Sequence, residues 1–196
     1  GPSQDVFVRN CVFEKNLRQG VSVISVDGLE MDRCVMRETK GALPEAGIDF
    51  EPNGPDEVLK RIVLRDCTIA DNNDAGIEFY LICLRGQSEP IDVRFENCRV
   101  TGSRCSVSYS MANVGTSVPW YDGIVTFDNC LFKNSRERAI QVTRRKYSTG
   151  ETVFRNCRID NACTAAPTNA DVVVSVQGMG GTVADGIRFE DLVIRQ

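Results

Sequence analysis

Apolar and polar residues alternate along seven short segments of this chain, and each segment ends at a polar turn. In the segment before residue 129, Val125 and Phe127 would point to one side of a strand, and Thr126 and Asp128 to the other. Such alternation is typical of a β-strand that buries one face. We therefore predict a strand in each of these segments.

The turn after each strand belongs to a repeated motif. In most copies Asn or Asp is followed by Cys, and a second short apolar run then begins. The last copy has Leu192 in place of Cys. The copies span residues 8–13, 31–36, 64–69, 95–100, 127–132, 154–159 and 189–194. Neighbouring copies start 23 to 35 residues apart, a period that indicates a solenoid.

A third strand completes each repeat after a polar segment. These third strands cover residues 20–24, 47–51, 76–80, 106–110, 139–143 and 173–177. Asn and Asp tolerate left-handed backbone angles in a tight turn, and in stacked coils their side chains can form a ladder of hydrogen bonds. The Cys of each copy would then point inward as a small apolar filler.

The motif, the alternation and the period together resemble the right-handed parallel β-helix of the pectate-lyase-like superfamily, over about residues 5–195. The resemblance implies an all-β, right-handed parallel β-helix of six to seven coils with an Asn/Cys ladder. It also implies that the third strand is the one called PB1, whose outer face carries the substrate cleft of such enzymes. The superfamily contains lyases, hydrolases, epimerases, esterases and non-catalytic binders, so the fold leaves the activity open.

The length of 196 residues predicts one domain, at residues 4–196. Residues 1–3, Gly-Pro-Ser, look like the remnant of an expression tag. Neither end shows a capping helix, although solenoids need polar caps. We therefore expect a piece of a longer chain, or ends that self-association covers, because open strand edges invite pairing.

Composition narrows the chemistry. A net charge of −4 argues against nucleic-acid binding, and no apolar run is long enough to span a membrane. The six repeat cysteines are interpreted as packing rather than as disulfides. The absence of histidine and of a CxxC pair argues against a zinc site. Proton transfer would have to use carboxylates, Lys, Arg or Tyr.

Alignment of the third strands places the outward residues in two columns. The first is Ser22, Asp49, Glu78, Ser108, Gln141 and Ser175, and the second is Ile24, Glu51, Tyr80, Ser110, Thr143 and Gln177. Asp49, Glu51 and Glu78 would thus meet in one patch. They could be ordinary solvated charges, but like charges stacked in register cost stability. We therefore favour a functional site there.

Two chemistries fit this patch. The first is glycoside hydrolysis, with Asp49, Glu51 and Glu78 as catalytic carboxyls and one pKa raised by mutual repulsion. This reaction needs no cofactor. The second is a calcium site formed by the same three side chains, in a calcium-assisted polysaccharide lyase or epimerase. A non-catalytic carbohydrate-binding or structural solenoid is the third interpretation.

The other predicted substrate contacts lie on the same face and its loops: Tyr80, Ser108, Gln141, Arg144, Arg145, Trp120 and Tyr121. The two arginines suit an anionic sugar subsite or a solvated basic turn. The two loop aromatics either stack on a sugar or anchor their loop on the core. Asp74 either approaches the carboxylate patch from the other side or is a turn residue, and we favour the turn. The predicted partner is a polysaccharide or oligosaccharide, which implies an extracellular or periplasmic location.

Overall fold

A computed structural model describes residues 1–110, 121–143, 149–165, 172–177 and 186–196. In these ranges all regular secondary structure is β-strand, which confirms the all-β prediction. Numbered along the chain, the strands are β1 (Ser3–Arg9), β2 (Val12–Glu14), β3 (Gln19–Val23), β4 (Val26–Asp32), β5 (Val35–Arg37), β6 (Ala46–Phe50), β7 (Leu59–Arg65), β8 (Thr68–Ala70), β9 (Ala75–Tyr80), β10 (Ile91–Glu96), β11 (Arg99–Thr101), β12 (Cys105–Ser110), β13 (Gly123–Asp128), β14 (Leu131–Lys133), β15 (Arg138–Thr143), β16 (Glu151–Arg155), β17 (Arg158–Asp160), β18 (Val174–Gln177), β19 (Ile187–Glu190) and β20 (Val193–Arg195). Within the described ranges there is no helix that could cross a membrane.

The strands form three parallel sheets that the chain visits in turn. Sheet A has the order β1-β4-β7-β10-β13-β16-β19, sheet B the order β2-β5-β8-β11-β14-β17-β20, and sheet C the order β3-β6-β9-β12-β15-β18. This is a parallel β-solenoid, as the repeat predicts. The six strands of sheet C span about five turns of chain, whereas six to seven coils were predicted. Among the described residues, the seventh motif copy adds strands only to sheets A and B.

The turn from sheet A to sheet B has a left-handed residue in every motif copy. The φ angles are 50–55° at Asn10, Arg33, Asp66, Asn97, Asn129, Asn156 and Asp191. The strands of sheet B are followed by a second left-handed position, which the motif did not predict. It is occupied by Lys15, Glu38, Asp71, Gly102, Asn134 and Asn161.

The predicted Asn ladder forms in part. Asn129 Nδ2 donates to Asn97 Oδ1 at 2.8 Å, which is a direct bond between amides of neighbouring coils. Asn156 Nδ2 donates instead to Asp128 Oδ1 at 3.2 Å. At the second turn position Asn161 Nδ2 donates to Asn134 Oδ1 at 2.9 Å.

Stacked aromatic rings fill the solenoid interior. On sheet A the ring of Phe127 lies between those of Phe95 and Phe154, with centroids 4.7 Å away on each side. On sheet C the ring of Phe79 stacks on Phe50 at 4.7 Å and on Tyr109 at 4.5 Å. The in-register coils bring like residues together, so each strand extends the stack of the one before.

The repeat cysteines pack as predicted, since all nine cysteines of the chain are free thiols. Cys34, Cys67, Cys98, Cys130 and Cys157 are buried, whereas Cys11 in the first coil is exposed. The Cys98 thiol donates to the carbonyl of Leu64, one coil back, at 3.4 Å. Cys157 makes the equivalent bond to Phe127 O at 3.4 Å.

Candidate functional site

Sheet C brings two of the predicted carboxylates side by side. Asp49 on β6 is the direct partner of Glu78 on β9. Glu78 is in turn the partner of Ser108, and Ser108 that of Gln141. This confirms the register of the first predicted column. Adjacent strands lie about 4.8 Å apart, so the two acidic side chains are immediate neighbours.

Gly47 and Gly76, each two residues before one of these carboxylates, lie where neighbouring coils pack closely. A Cβ on Gly47 would lie 2.8 Å from the carbonyl oxygen of Gly76 and 2.5 Å from Ile69 Cγ2. A Cβ on Gly76 would lie 2.3 Å from Val100 Cγ1. Both positions therefore exclude any larger residue, and the close approach of the coils fixes where β6 and β9 present Asp49 and Glu78.

A groove of about 490 Å³ runs over this part of sheet C. It brings together Asp49, Glu51, Glu78, Tyr80, Ser108 and Gln141, all predicted site residues. Asp74, considered for the patch but favoured as a turn residue, also lines the groove. Four further lining residues were not predicted to contribute to the site: Arg18, Leu43, Pro44 and Arg104. The groove is thus larger and more charged than the two columns indicated.

Asp49 is buried without a hydrogen-bond donor. Its side chain is 1% exposed, and no donor among the described residues reaches either carboxylate oxygen. Burial raises its pKa to about 7, and the nearby charge of Glu51 adds to the rise. The Asp49 and Glu51 carboxyls can bond each other when one of them carries a proton. We assign that proton to Asp49, because Arg18 Nη2 lies 3.3 Å from Glu51 Oε2 and pairs with its anion.

Glu78 is the second acid with a strongly perturbed pKa. It is 9% exposed, and burial raises its pKa to about 8. A hydrogen bond with Ser108 opposes this rise, whereas the charges of Asp49 and Asp74 add to it. At neutral pH the Glu78 carboxyl therefore carries a proton, in a groove that also holds ionised groups.

Arg104 joins three elements at the edge of the groove. Its Nε pairs with Asp74, and its Nη1 donates to Glu137 Oε2 at 2.9 Å. Burial works against the charge of Arg104, but the bond with Asp74 raises its pKa. Asp74 is therefore part of the groove wall and not a turn residue alone.

A signal for the missed charged residues exists in the sequence. The position directly before each third strand is charged in the first five coils: Arg18, Glu45, Asp74, Arg104 and Glu137. Because the strands stack in register, Arg104 meets its oppositely charged neighbours Asp74 and Glu137 across coils. Alignment of the loop residue before each strand, and not of the strands alone, would have revealed Arg104 beside Asp74.

Metal binding by the three carboxylates is the alternative to hydrolysis. No group of three or more Cys, Asp or Glu side chains in the described part of the chain is placed to hold a metal ion. The calcium alternative for Asp49, Glu51 and Glu78 stays a prediction.

Tyr121 lies in the core and not in the groove. It is 1% exposed, and its hydroxyl lies 3.5 Å from Thr152 Oγ1. Of the two roles considered for this ring, the structure shows the anchoring one, because a buried ring is not available to stack on a sugar. Trp120, Arg144 and Arg145 lie outside the described residues.

Comparison with protein-family models and with curated proteins finds no match to this chain. Among solved structures, it is similar to a trypsin-treated variant of QnrB1, a plasmid-mediated fluoroquinolone resistance protein. The two are 12% identical over 95% of this chain and 92% of the other, with a TM-score of 0.25. A likeness this low carries no argument about function.

Proposed function

We propose that this chain is a carbohydrate-active β-helix protein of the pectate-lyase-like type, and that it hydrolyses a polysaccharide in the sheet C groove. The observation that supports the proposal is that one groove contains two carboxyls in different environments. Glu78 is buried with a pKa raised to about 8, and Glu51 is ion-paired with Arg18. Glycoside hydrolysis uses one protonated and one ionised carboxyl in this way.

In the proposed mechanism Glu78 is the general acid and Glu51 the general base. Glu51 follows the end of β6, two residues beyond Asp49, whereas Glu78 is the partner of Asp49. One strand spacing combined with two residues of rise separates the two positions by about 8 Å. Carboxyl groups held at a similar separation would leave room for a water molecule between them, as an inverting mechanism requires. Glu51 would take a proton from that water while Glu78 protonates the departing glycosidic oxygen.

Asp49 serves as a positioning residue in this scheme. It is buried beneath the groove and has no donor within reach of its oxygens. A proton shared with Glu51 would hold the Glu51 carboxylate in one orientation toward the water. Its burial keeps Asp49 from direct attack on the sugar.

The groove offers both polar and apolar contacts to a sugar. Tyr80, Ser108 and Gln141 supply uncharged hydrogen-bonding groups. Leu43, which is 73% exposed, gives the wall an apolar surface for the C–H face of a ring. A polysaccharide substrate favours an extracellular or periplasmic location.

An activity assay on a polysaccharide panel tests the proposal. New reducing ends and the ultraviolet absorbance of unsaturated uronides would be followed together. We expect new reducing ends without unsaturated products from the wild-type protein. In Glu78→Gln and in Glu51→Gln, turnover should fall by at least about 100-fold. Glu14→Gln, which removes an exposed carboxylate on sheet B, is the matched control and should keep wild-type activity.

Other outcomes assign the groove differently. Unsaturated products would indicate a lyase. Binding of a polysaccharide without any cleavage would indicate a non-catalytic module. Equal activity of wild type and both Gln variants would refute the assigned roles of Glu51 and Glu78.

A further inference from the structure

The two arginines in the described lining of the sheet C groove are already ion-paired within the protein. Arg18 donates through Nη2 to Glu51 at 3.3 Å and through Nε to the carbonyl of Leu43 at 3.0 Å. Arg104 is held between Asp74 and Glu137. In the described lining both guanidinium groups are therefore committed to carboxylates of the chain itself.

Carboxyl groups outnumber guanidinium groups in this lining. Four carboxyls, those of Asp49, Glu51, Asp74 and Glu78, face the two guanidiniums of Arg18 and Arg104. A substrate carboxylate that entered the groove would meet the anions of Glu51 and Asp74, and it would have to break one of their ion pairs to gain a cation. Juxtaposed like charges in a partly buried site are strongly unfavourable.

The remaining lining is suited to hydroxyl groups. Tyr80, Ser108 and Gln141 carry neutral donors and acceptors, and Leu43 and Pro44 form an apolar wall. Sugar rings present this combination of hydroxyl edges and C–H faces. Nothing in this part of the lining requires the ligand to be charged.

We infer that the sheet C groove accepts a neutral glycan and rejects glycans that carry carboxylate groups. The inference rests on the proposed function and names its substrate class. It goes against the expectation of an anionic sugar subsite that Arg144 and Arg145 suggested.

A cationic amino sugar is disfavoured by the same charges. With protons on Asp49 and Glu78, whose pKa values are raised to about 7 and about 8, the charged groups left are Glu51, Asp74, Arg18 and Arg104. In the described lining two anions then balance two cations, and an ammonium group would have to break the ion pair of Glu51 with Arg18 or of Asp74 with Arg104 to gain a partner.

Matched polysaccharides would test the inference. Binding of the full chain at pH 6.5 would be measured against a panel of neutral glycans, amino glycans and uronic-acid polymers, each uronic-acid polymer paired with its carboxyl-reduced form. We expect affinity for neutral members only, with at least a tenfold preference within each pair. Preference for a uronic-acid or amino polymer would overturn the inference but leave the carbohydrate proposal standing. Binding to no polymer would overturn the proposal and the inference together.

A variant that removes one ion-pair partner of Arg104 tests whether charge in the groove sets this preference. Asp74→Asn keeps the side-chain shape but removes one of the two anions that pair with Arg104, so the lining gains net positive charge. It should raise affinity for a uronic-acid polymer about tenfold, since a charge-assisted bond becomes available. Glu14→Gln removes the same charge far from the groove and should change nothing. An unchanged specificity in a folded Asp74→Asn protein would show that charge does not set the selection.

Discussion

At the scale of single residues, position in the coil decides conformation more strongly than residue type does. The turn from sheet A to sheet B is left-handed at four Asn and two Asp residues, and also at Arg33, with a φ of 50°. An Arg in this region costs about 1 kcal/mol more than Asn or Gly would. Arg33 offsets this with a hydrogen bond to Asn10 Oδ1 at 3.1 Å. The stacked coils therefore impose the turn even where the sequence disfavours it.

The raised pKa of Asp49 predicts a stability that depends on pH. Above pH 4 the unfolded Asp49 is ionised, whereas the folded one keeps its proton up to about pH 7. The folded state thus binds more protons, and the free energy of unfolding falls as pH rises between these values. We expect the Asp49→Asn variant to lose less stability than wild type between pH 5 and pH 8, by roughly 1 to 3 kcal/mol.

Urea unfolding at pH 5 and pH 8 measures this difference. Asp56→Asn is the control, since it removes an exposed carboxylate that does not line the groove. Parallel pH dependence in wild type and Asp49→Asn would show that Asp49 is ionised in the folded protein, contrary to its assigned role.

The hydrogen bond between Ser108 and Glu78 leads us to expect a shift in the pH profile of activity when Ser108 is replaced. Its hydrogen bond lowers the pKa of Glu78 from the value that burial alone would set. If Glu78 is the general acid, kcat/KM should decline above about pH 8. In Ser108→Ala this decline should begin at higher pH, because the ionised form of Glu78 loses a donor. A decline at unchanged pH would remove Glu78 from the role of acid.

At the scale of elements, the sheets are held by continuous stacks and not by surface charge. Ion pairs such as Arg65 with Glu96 at 2.8 Å and Arg155 with Asp128 at 2.8 Å lie on the outer face of sheet A. Exposed pairs of this kind contribute about 0 to 1 kcal/mol each. Burial of a Phe ring contributes several times more, so the inner faces dominate the stability.

Phe127 provides the test at this scale. Its ring is fully buried between two others, so Phe127→Ala should lower the free energy of unfolding by about 3 to 5 kcal/mol. Phe7→Ala is the control, since Phe7 is 64% exposed and its loss should cost within about 0.5 kcal/mol. Chemical denaturation of the two variants gives both values. Similar losses would contradict the dominance of the stack.

At the scale of the whole molecule, the solenoid encloses a line of thiols without joining them. Each buried repeat thiol donates to a backbone carbonyl of the coil before it, as Cys130 does to Phe95 O at 3.5 Å. The thiols of adjacent coils interact with each other, as Cys98 does with Cys67 and Cys130, but they remain reduced. The sulfur atoms therefore contribute packing along the whole axis and no covalent bonds.

A thiol count tests this arrangement. In the native protein an aromatic disulfide reagent should modify at most the three cysteines that are not buried, Cys11, Cys83 and Cys163. In denaturant, without reductant, all nine should react, because none is in a disulfide. Fewer than nine reactive thiols in unfolded protein would reveal a bond between coils. Rapid reaction of more than three in native protein would show that the coils open.

The repeat in the sequence was sufficient to predict the solenoid fold and the register of Asp49 with Glu78. The period predicted a three-sheet solenoid, because equivalent residues of stacked coils must meet, and the same logic placed Asp49 beside Glu78. The columns did not predict Arg18 and Arg104, since those residues lie directly before the third strands, outside the aligned positions. The role of Tyr121, an aromatic with two open interpretations, also depended on whether its own ring is buried.

The protonation states of the carboxylates follow from the tertiary structure. Whether a side chain holds a proton depends on how neighbouring coils exclude water and where the nearest counter-charge lies. Burial beneath the groove raises the pKa values of Asp49 and Glu78, whereas Arg18 pairs with Glu51 from a different coil. These are long-range effects across stacked strands, and residue order along one strand does not encode them.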